Sequence, residues 1–352
     1  AHESDFAPIA DQLSAIESID VLDDTHIRLN LSRPDQALLA HLSRFAGMMI
    51  SPAELEGDIT QPVGTGPWTL NTEETEPAVR YVFDLFPDFW DPSVQGVERV
   101  EILHLPEDAA RSNALRSGQI DGAWVSTSDA RVLETEGYPI LSNEANILGL
   151  HILDREGTMV PAFADERVRL ALNYAIDREL LAETVFDGYA IPLTQRFQPG
   201  QYGYAEDIAD LSYDPERAKQ LLAEAGIENL EFQVPSFGLL NKPNQALAGF
   251  LADIGVTMDV EAIAPGTLFP QIAQGNWAAA LLPINERHVS EYVDKRVLVN
   301  GVFNPFDVLE EDLEELAAQA KQLPPDEAEP LWSEITRETA ERGIIIHLVA
   351  SD

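Results

Sequence analysis

The chain contains no cysteine. This absence excludes disulfide bonds, thiolate metal sites and a cysteine nucleophile. The chain also lacks any apolar run approaching the about eighteen residues that a membrane-spanning helix needs. The N-terminal segment AHESDFAPIADQL has neither the basic start nor the apolar centre of a signal peptide. If the protein is exported, its signal segment is therefore expected to have been removed.

Basic residues are scarce. The 352 residues include 61 acidic and 22 basic side chains, which gives a formal net charge of -39, and only four of the basic residues are lysines. Such a surface repels nucleic acid phosphates and anionic lipid headgroups, so neither is expected as a partner. An acidic, lysine-poor surface suits a high-salt environment and also arises from a GC-rich genome, and the sequence leaves both origins open.

The sequence also lacks the motifs of common catalytic sites. None of the seven histidines pairs at i, i+4 spacing, and neither HExxH nor G-x-S-x-G occurs. No pair of carboxylates stands out as an acid and a base. The segment Gly64-Thr65-Gly66 does not fit a phosphate loop, because Pro67 removes an amide and the chain continues as a strand. We therefore expect no enzyme, no metal site and no cofactor.

What is present is an alternation of strand and helix patterns. Residues 19–31 predict two short strands around an Asp23-Asp24 turn. The clearest helix begins after Asp214 and ends at Gly226. Hydrophobic residues make up 45% of the chain, as in folded globular proteins. The alternation favours an α/β fold with predominantly parallel strand pairing. Further strands are predicted at residues 78–86, 97–105, 120–126, 148–153, 230–234, 256–263 and 344–349, and further helices at 34–47, 107–121, 244–255, 308–322 and 326–342.

The pattern changes near residue 148. From there an apolar run is followed by helices at close intervals, with Asp165 and Asp177 placed as N-caps. The length allows two lobes with separate cores. We predict a first lobe at residues 1–147 and a second lobe at residues 148–352.

Several ordered segments resemble a known family. The segments PVGTGPWTL, FPDFWDPSVQGVERVEI and RSNALRSGQIDGAW resemble the signature region of the family 5 extracellular solute-binding proteins, the oligopeptide-, dipeptide- and nickel-binding components of ABC importers. Downstream, PAFADERVRLALNYAIDRELLAETVFDGYAIPLTQRFQPG, YDPERAKQLLAEAGI, FLADIGVTMDVEAI and LPPDEAEPLWSEITRETAERGIIIHL are similar to later blocks of the same family, in the same order.

The resemblance implies a two-lobed fold of the periplasmic-binding-protein type II class with mixed sheets. It implies an extracytoplasmic component of an ABC importer, located in the periplasm or at the outer face of the cell membrane. Whether it is anchored by a lipid is left open. A peptide-like or other small solute would be enclosed between the lobes by hinge closure, and the protein, a monomer, would deliver it to membrane permease subunits. The family's long initial segment and its short return after the last strand are missing here, so we expect an incomplete first lobe.

The resemblance also suggests ligand-binding residues. Trp124 would stack on a ligand or pack in a core, and His151, in a strand that crosses between lobes, would contact ligand or be an interior histidine. Asn285, Glu286 and Arg287 would form a loop in the second lobe. Peptide-binding members carry a tryptophan and then an aspartate in this region, where this chain has Ile284 and Arg287.

The change from an aspartate to Arg287 argues against ordinary capture of a peptide amino terminus, although Glu286 could partly restore it. Peptides, sugar oligomers, opine-like compounds and metal chelates all stay open as ligands. The resemblance also implies that Gly64 and Gly66 of this chain supply backbone angles that a side chain forbids, and that Trp68 belongs to the core. An alternative function is a cytoplasmic ligand-sensing domain of a transcription regulator, for which a basic DNA-binding segment would be required upstream.

Overall fold

The structure is a computed structural model that describes residues 11–51, 63–94, 96–141, 146–264 and 266–351. The chain divides into two compact units. The first contains the residues up to Ile16 together with Leu38–Ile140, and the second contains Glu17–Ala37 together with Leu141–Asp352. The predicted lobe boundary at residue 148 stays a prediction.

The first unit contains a small antiparallel sheet. Its strand order is β3-β4-β5, and the central strand pairs with both neighbours in antiparallel register. Val82, in the central strand, is fully buried. The predicted strands around residues 78–86 and 97–105 are confirmed. The elements of this unit are α1 (Leu38–Leu42), β3 (Trp68–Leu70), β4 (Arg80–Leu85), β5 (Arg99–Leu103), α2 (Asp108–Arg116) and α3 (Thr127–Thr135).

The glycine-rich segment leads into β3 as expected, but its two glycines do not have the predicted backbone angles. Neither Gly64 nor Gly66 has a positive φ, and a Cβ built on Gly66 would meet no atom within 4 Å. The prediction that both glycines supply forbidden backbone angles is therefore wrong. Trp68 is half-buried and donates from Nε1 to the backbone O of Val97 at 3.2 Å.

The second unit is built on a four-stranded sheet in the order β10-β6-β11-β7. Strand β6 is buried along Ile147–Ile152, and it has apolar residues on both faces of the sheet. It pairs antiparallel with β10 and β11. At its centre, a Cβ on Gly149 would lie 2.9 Å from the Ile345 side chain and 3.0 Å from that of Ile284. The strands of this unit are β1 (Ile16–Val21, from its second residue), β2 (Ile27–Leu31), β6 (Asn146–Ile152), β7 (Ala190–Pro192), β8 (Leu230–Ser236), β9 (Val256–Ala262), β10 (Ala279–Ile284) and β11 (Ile345–Ser351).

Strands β8 and β9 pair in parallel, with a helix between them in the chain. Among the described residues, the strands of the two larger sheets pair antiparallel throughout, so the prediction of predominantly parallel pairing is wrong. Two neighbouring strands are forced to run parallel only where a single helical crossover joins them. Strands β6, β10 and β11 are instead separated in the chain by long stretches of other structure, so the alternation of helices and strands does not determine their direction. The helices of this unit are α4 (Glu166–Tyr174), α5 (Arg178–Val185), α6 (Pro215–Glu224), α7 (Asn241–Ala252), α8 (Leu268–Ala273), α9 (Val289–Arg296), α10 (Glu311–Ala320) and α11 (Pro325–Glu341).

The predicted helix caps are confirmed. The side chains of Asp165, Asp177 and Asp214 accept hydrogen bonds from the backbone N–H of residues two or three positions later, at 2.9 Å each. Each bond satisfies an N–H group that has no partner inside the helix. Gly226 ends α6 with a φ of 72°, which a glycine adopts without steric strain. The predicted strand at residues 120–126 is absent, since these residues lie outside helix and strand.

Hydrogen bonds of Gln36 join residues 17–37 to the C-terminal helices of the second unit. The Nε2 of Gln36 donates to the backbone O of Ala320 at 2.8 Å and of Leu323 at 2.9 Å. Its Oε1 accepts from Nε1 of Trp332, at 2.9 Å. Trp332 is fully buried, in a cluster that includes Tyr292. The amide of Gln36 therefore ties the loop after α10 to the buried face of α11.

No helix within the described ranges is long and apolar enough to cross a bilayer.

Candidate functional site

The loop that follows β10 places the predicted residues Asn285, Glu286 and Arg287. Strand β10 ends at Ile284, which is paired with Ile147 of β6. Exposure then alternates, since Asn285 and Arg287 are exposed and Glu286 is only 6% exposed. The loop ends at α9, whose first turn is capped by the side chain of His288. Residues 285–287 are called the β10–α9 loop below.

Glu286 forms a buried ion pair with Arg296. Arg296 donates from Nε to Oε2 of Glu286 at 2.8 Å and from Nη2 to Oε1 at 3.0 Å. The Arg296 residue is 2% exposed, and its Nη2 also donates to the backbone O of Pro283 at 2.8 Å. A paired guanidinium and carboxylate with two parallel bonds have a fixed relative geometry. Because the Glu286 side chain points inward, its two neighbours in the loop point outward.

His151 extends this buried pair. Its Nδ1 lies 3.0 Å from the backbone O of Gly149, which is only an acceptor, so Nδ1 carries the proton. Its Nε2 then accepts from Nη1 of Arg296 at 2.8 Å. Burial, followed by the positive charge of Arg296, lowers the pKa of His151 well below its usual range. The Phe303 ring covers the guanidinium of Arg296, with Cζ at 4.1 Å from the ring centroid. Both nitrogens of His151 are thus engaged within the protein.

A second guanidinium reaches the loop from residue 196. Arg196 is 7% exposed, and its Nη2 donates to the backbone O of Glu286. Its Nε is buried without an acceptor among the residues that the structure describes. Burial lowers the pKa of Arg196 to about 10, so the group still carries its charge at neutral pH. The loop backbone is therefore held by Arg196 and the loop carboxylate by Arg296.

A buried tyrosine and histidine lie close to these arginines. The hydroxyl of Tyr292 lies 3.2 Å from Nε2 of His347. Burial raises the pKa of Tyr292, and burial, followed by the charges of Arg196 and Arg178, lowers the pKa of His347 well below its usual range. The ring of His347 is therefore neutral in the folded protein.

The two buried histidines should make stability depend on pH. The folded protein keeps His151 and His347 neutral, whereas the unfolded chain protonates them near the usual pKa of about 6.5. Their contribution is fully present above pH 6.5 and is lost as the pH falls below it. We expect the free energy of unfolding to fall by up to about 1.4 kcal/mol per pH unit for each histidine. Urea unfolding at a series of pH values between about 7 and 5 measures this slope.

The replacement His347→Gln isolates one of these contributions. Glutamine removes the titrating group and keeps a polar atom near Tyr292, so the slope below pH 6.5 should become shallower than in the unmodified protein. Equal slopes for the two proteins would show that His347 is not held neutral by the fold.

Trp124 belongs to the first unit. It is 78% exposed, and its backbone O accepts from Nε of Arg111 at 2.6 Å. The indole is therefore accessible to a ligand, and its predicted role as a ligand contact stays a prediction.

Among the described residues, no three histidine, aspartate or glutamate side chains are grouped as a metal site.

Sequence reasoning missed Arg196 and Arg296. A signal for Arg296 does exist in the sequence, because it occupies the buried face of α9 with Val289, Tyr292 and Val293, at the spacing i, i+3, i+4 and i+7. A charged residue at a core position of an amphipathic helix indicates a buried partner. For Arg196 we find no comparable signal, since it lies outside helix and strand.

A family model described as bacterial extracellular solute-binding proteins, family 5 Middle, matches residues 3–290. Heme-binding protein A of Haemophilus influenzae is 30% identical over 224 residues, which are 61% of this chain and 40% of that protein. The glutathione-binding protein GsiB of Escherichia coli K12 is 32% identical over 219 residues, 61% of this chain and 42% of that protein. The matches span less than half the length of these curated relatives.

Solved structures show the same fold at low sequence identity. HbpA2 from Haemophilus parasuis matches with a TM-score of 0.80 and 20% identity, covering 96% of this chain and 71% of that one. A putative peptide binding protein AppA from Clostridium difficile matches with a TM-score of 0.85 and 15% identity, covering 98% and 76%. NikA from Brucella suis, in complex with Fe(III)-EDTA, matches with a TM-score of 0.83 and 18% identity, covering 97% and 74%. These matches show the mixed α/β fold predicted from the sequence.

Proposed function

The chain belongs to the bacterial extracellular solute-binding proteins of family 5, and on this premise we propose that it is part of the solute-binding component of an ABC importer. The observation that carries the proposal is the family match across residues 3–290. The mixed α/β fold shared with solved binding proteins supports it. The relatives are named as binding proteins, which supports binding without turnover. These matches give no support to the alternative of a sensing domain in a transcription regulator.

The proposal includes the surroundings in which the protein acts. A binding component of this family works outside the cytoplasm and passes its solute to membrane permease subunits. Its capture of the solute by hinge closure, its monomeric state and its attachment to a lipid are parts of the proposal that rest on the resemblance alone. A ligand that binds one conformation more tightly shifts the population toward it.

The solute is proposed to contact the β10–α9 loop through Asn285 and Arg287. These side chains are exposed on a loop whose backbone and inward carboxylate are already held by Arg196 and Arg296. Preorganised contacts bind ligand with less loss of conformational entropy. Glu286 is committed to Arg296, so it does not supply the acid that would capture a peptide amino terminus.

A thermal-shift screen tests binding without turnover. The protein that carries this chain would be heated with dipeptides to pentapeptides, glutathione, heme and the nickel–histidine complex. A true ligand should stabilise the folded protein by about 2.7 kcal/mol at one hundred times its dissociation constant, because it binds only the folded state. The melting temperature should therefore rise with the logarithm of ligand concentration.

Two further measurements decide the outcome. Mass spectrometry of the recovered solute should find it chemically unchanged, and cells without the protein should lose uptake of the same solute. Accumulation of a product, or unchanged uptake in the deletion strain, would contradict the proposal.

A further inference from the structure

We propose that a cavity between α11 and the loop of residues 200–206 binds an aliphatic diamine in its protonated form, and that the carboxylates of Glu206 and Glu329 accept its ammonium groups. The inference goes beyond the proposed function, because none of the residues that line this cavity belongs to the β10–α9 loop. The cavity lies within the second unit and has a volume of about 460 Å³. Its lining includes Gln201, Tyr204, Glu206, Glu329, Pro330 and Ser333.

The size of the cavity suits a small organic molecule. Sites for small molecules usually enclose about 300–1,000 Å³, whereas a single water molecule occupies about 30 Å³. Within the described ranges, no three histidine, aspartate or glutamate side chains are grouped to hold a metal ion, at this cavity or elsewhere. An organic ligand is therefore preferred to a metal ion, which enters the test as a competitor.

The walls of the cavity are held in place by bonds that do not use its polar lining groups. The hydroxyl of Tyr202 donates to the backbone O of Pro325 at 2.7 Å, which fixes the 200–206 loop to the first turn of α11. The side-chain amide of Gln195 bonds both backbone groups of Ala205, at 2.8 and 2.9 Å. A ligand therefore meets a preformed site, and its binding costs little conformational entropy of the protein.

The helical wall carries polar groups that lack their usual partners. Thr336 and Thr339 each donate from the side-chain hydroxyl to the backbone O four residues earlier. The hydroxyl of Ser333, on the same helix, makes no hydrogen bond to any residue that the structure describes, and it lines the cavity. Pro330 has no N–H, so the backbone O of Asp326 lacks the donor that a helix normally supplies. A ligand with several donors would satisfy such groups.

The lining is negatively charged and holds no cation. Glu206 and Glu329 come one from each wall, and neither forms an ion pair with another described residue. The residues found in the lining include no lysine, arginine or histidine. Carboxylates further along α11 are neutralised instead, because Arg337 pairs with Glu334, Glu338 and Glu341. The cavity therefore offers two carboxylates to a ligand from outside the chain.

An aliphatic diamine complements this lining. An ammonium group has three donors and no acceptor, and its bonds to carboxylates are charge-assisted. Tyr204, which packs against the core, adds an aromatic ring, and aromatic rings attract cations. The methylene chain of the diamine would pack on Tyr204 and Pro330. Its two positive charges match the two carboxylates, and the net charge of -39 raises the local concentration of cations.

The test is a calorimetric titration of the whole protein with 1,5-diaminopentane at constant pH and ionic strength. The controls are neutral 1,5-pentanediol and magnesium chloride, whose cation has the same charge as the diamine. We expect saturable binding of one diamine per protein, no binding of the diol and no displacement by an equal concentration of Mg²⁺. Glu329→Gln should weaken diamine binding by about tenfold or more, because it removes a charge-assisted hydrogen bond. Glu327→Gln removes the same charge from an exposed position of α11 outside the cavity, and it should change binding by less than about twofold.

A second variant approaches the site from its other wall. Glu206→Gln should weaken binding by a similar factor, and melting temperatures close to that of the unmodified protein show that the variants fold. Equal binding by both cavity variants, or equal weakening by Glu327→Gln, would show general attraction to an acidic surface and overturn the inference. Displacement by an equal concentration of Mg²⁺ would replace the diamine with a metal ion. Solute uptake plays no part in these titrations, so their failure leaves the proposed function standing.

Discussion

Replacement of Arg296 by methionine should lower the free energy of unfolding by about 3–5 kcal/mol. The change leaves the carboxylate of Glu286 buried without its cation and removes the hydrogen-bond donor to Nε2 of His151. The large effect comes from the buried carboxylate of Glu286, which is left without its cation, because ion pairs exposed to water contribute little by themselves. Urea unfolding at neutral pH measures the change, because urea does not screen charges as a salt would.

Two variants test this explanation. The double variant Glu286→Leu/Arg296→Met removes both charges and should recover most of the lost stability, because no isolated ion remains. Lys295→Met breaks the neighbouring surface pair with Glu291, which joins Nζ and Oε1 at 2.8 Å, and should cost less than about 1 kcal/mol. If the double variant is no more stable than Arg296→Met alone, the effect comes from packing and not from the unpaired carboxylate.

Replacement of Trp332 by alanine should also lower the free energy of unfolding by about 3–5 kcal/mol. Trp332 is fully buried, and its removal leaves a cavity as well as the unpaired Oε1 of Gln36. Because Gln36 bonds the backbone at Ala320 and Leu323, residues 17–37 should also become more susceptible to protease. Urea unfolding and limited proteolysis measure the two effects.

Trp332→Phe separates the two causes. Phenylalanine keeps most of the buried ring and loses the indole N–H, so this variant should lose about 1–3 kcal/mol of stability, the typical cost of leaving an acceptor such as Oε1 of the half-buried Gln36 without its donor. A loss as large as that of Trp332→Ala would show that the hydrogen bond to Gln36 matters more than the filled volume.

Local signals in the sequence predicted local structure well. Asp214, Pro215 and Gly226 lie within one short helix and its ends, and the structure has the cap, the helix and the left-handed glycine in those places. Strand direction was predicted wrongly because the partners of β6 lie far away in the chain, and alternation of apolar residues carries no information about which distant strand arrives beside it.

The site was predicted only in outline. The sequence drew attention to residues 285–287, but it did not show that Glu286 points inward while its two neighbours are exposed. That arrangement depends on Arg196 and Arg296, which approach from different parts of the chain. A buried ion pair requires two distant residues to meet with suitable geometry, and a single sequence records neither their distance nor their orientation.

The bond between Gln36 and Trp332 has a consequence for biosynthesis. The two residues are 296 positions apart. At about 5–20 residues per second, a ribosome needs about 15–60 s to make the intervening chain. During that interval Gln36 emerges without Trp332 and without the backbone at Ala320 and Leu323, the groups that it later bonds. We therefore expect residues 17–37 to reach their final packing only after the C-terminal helices have been translated.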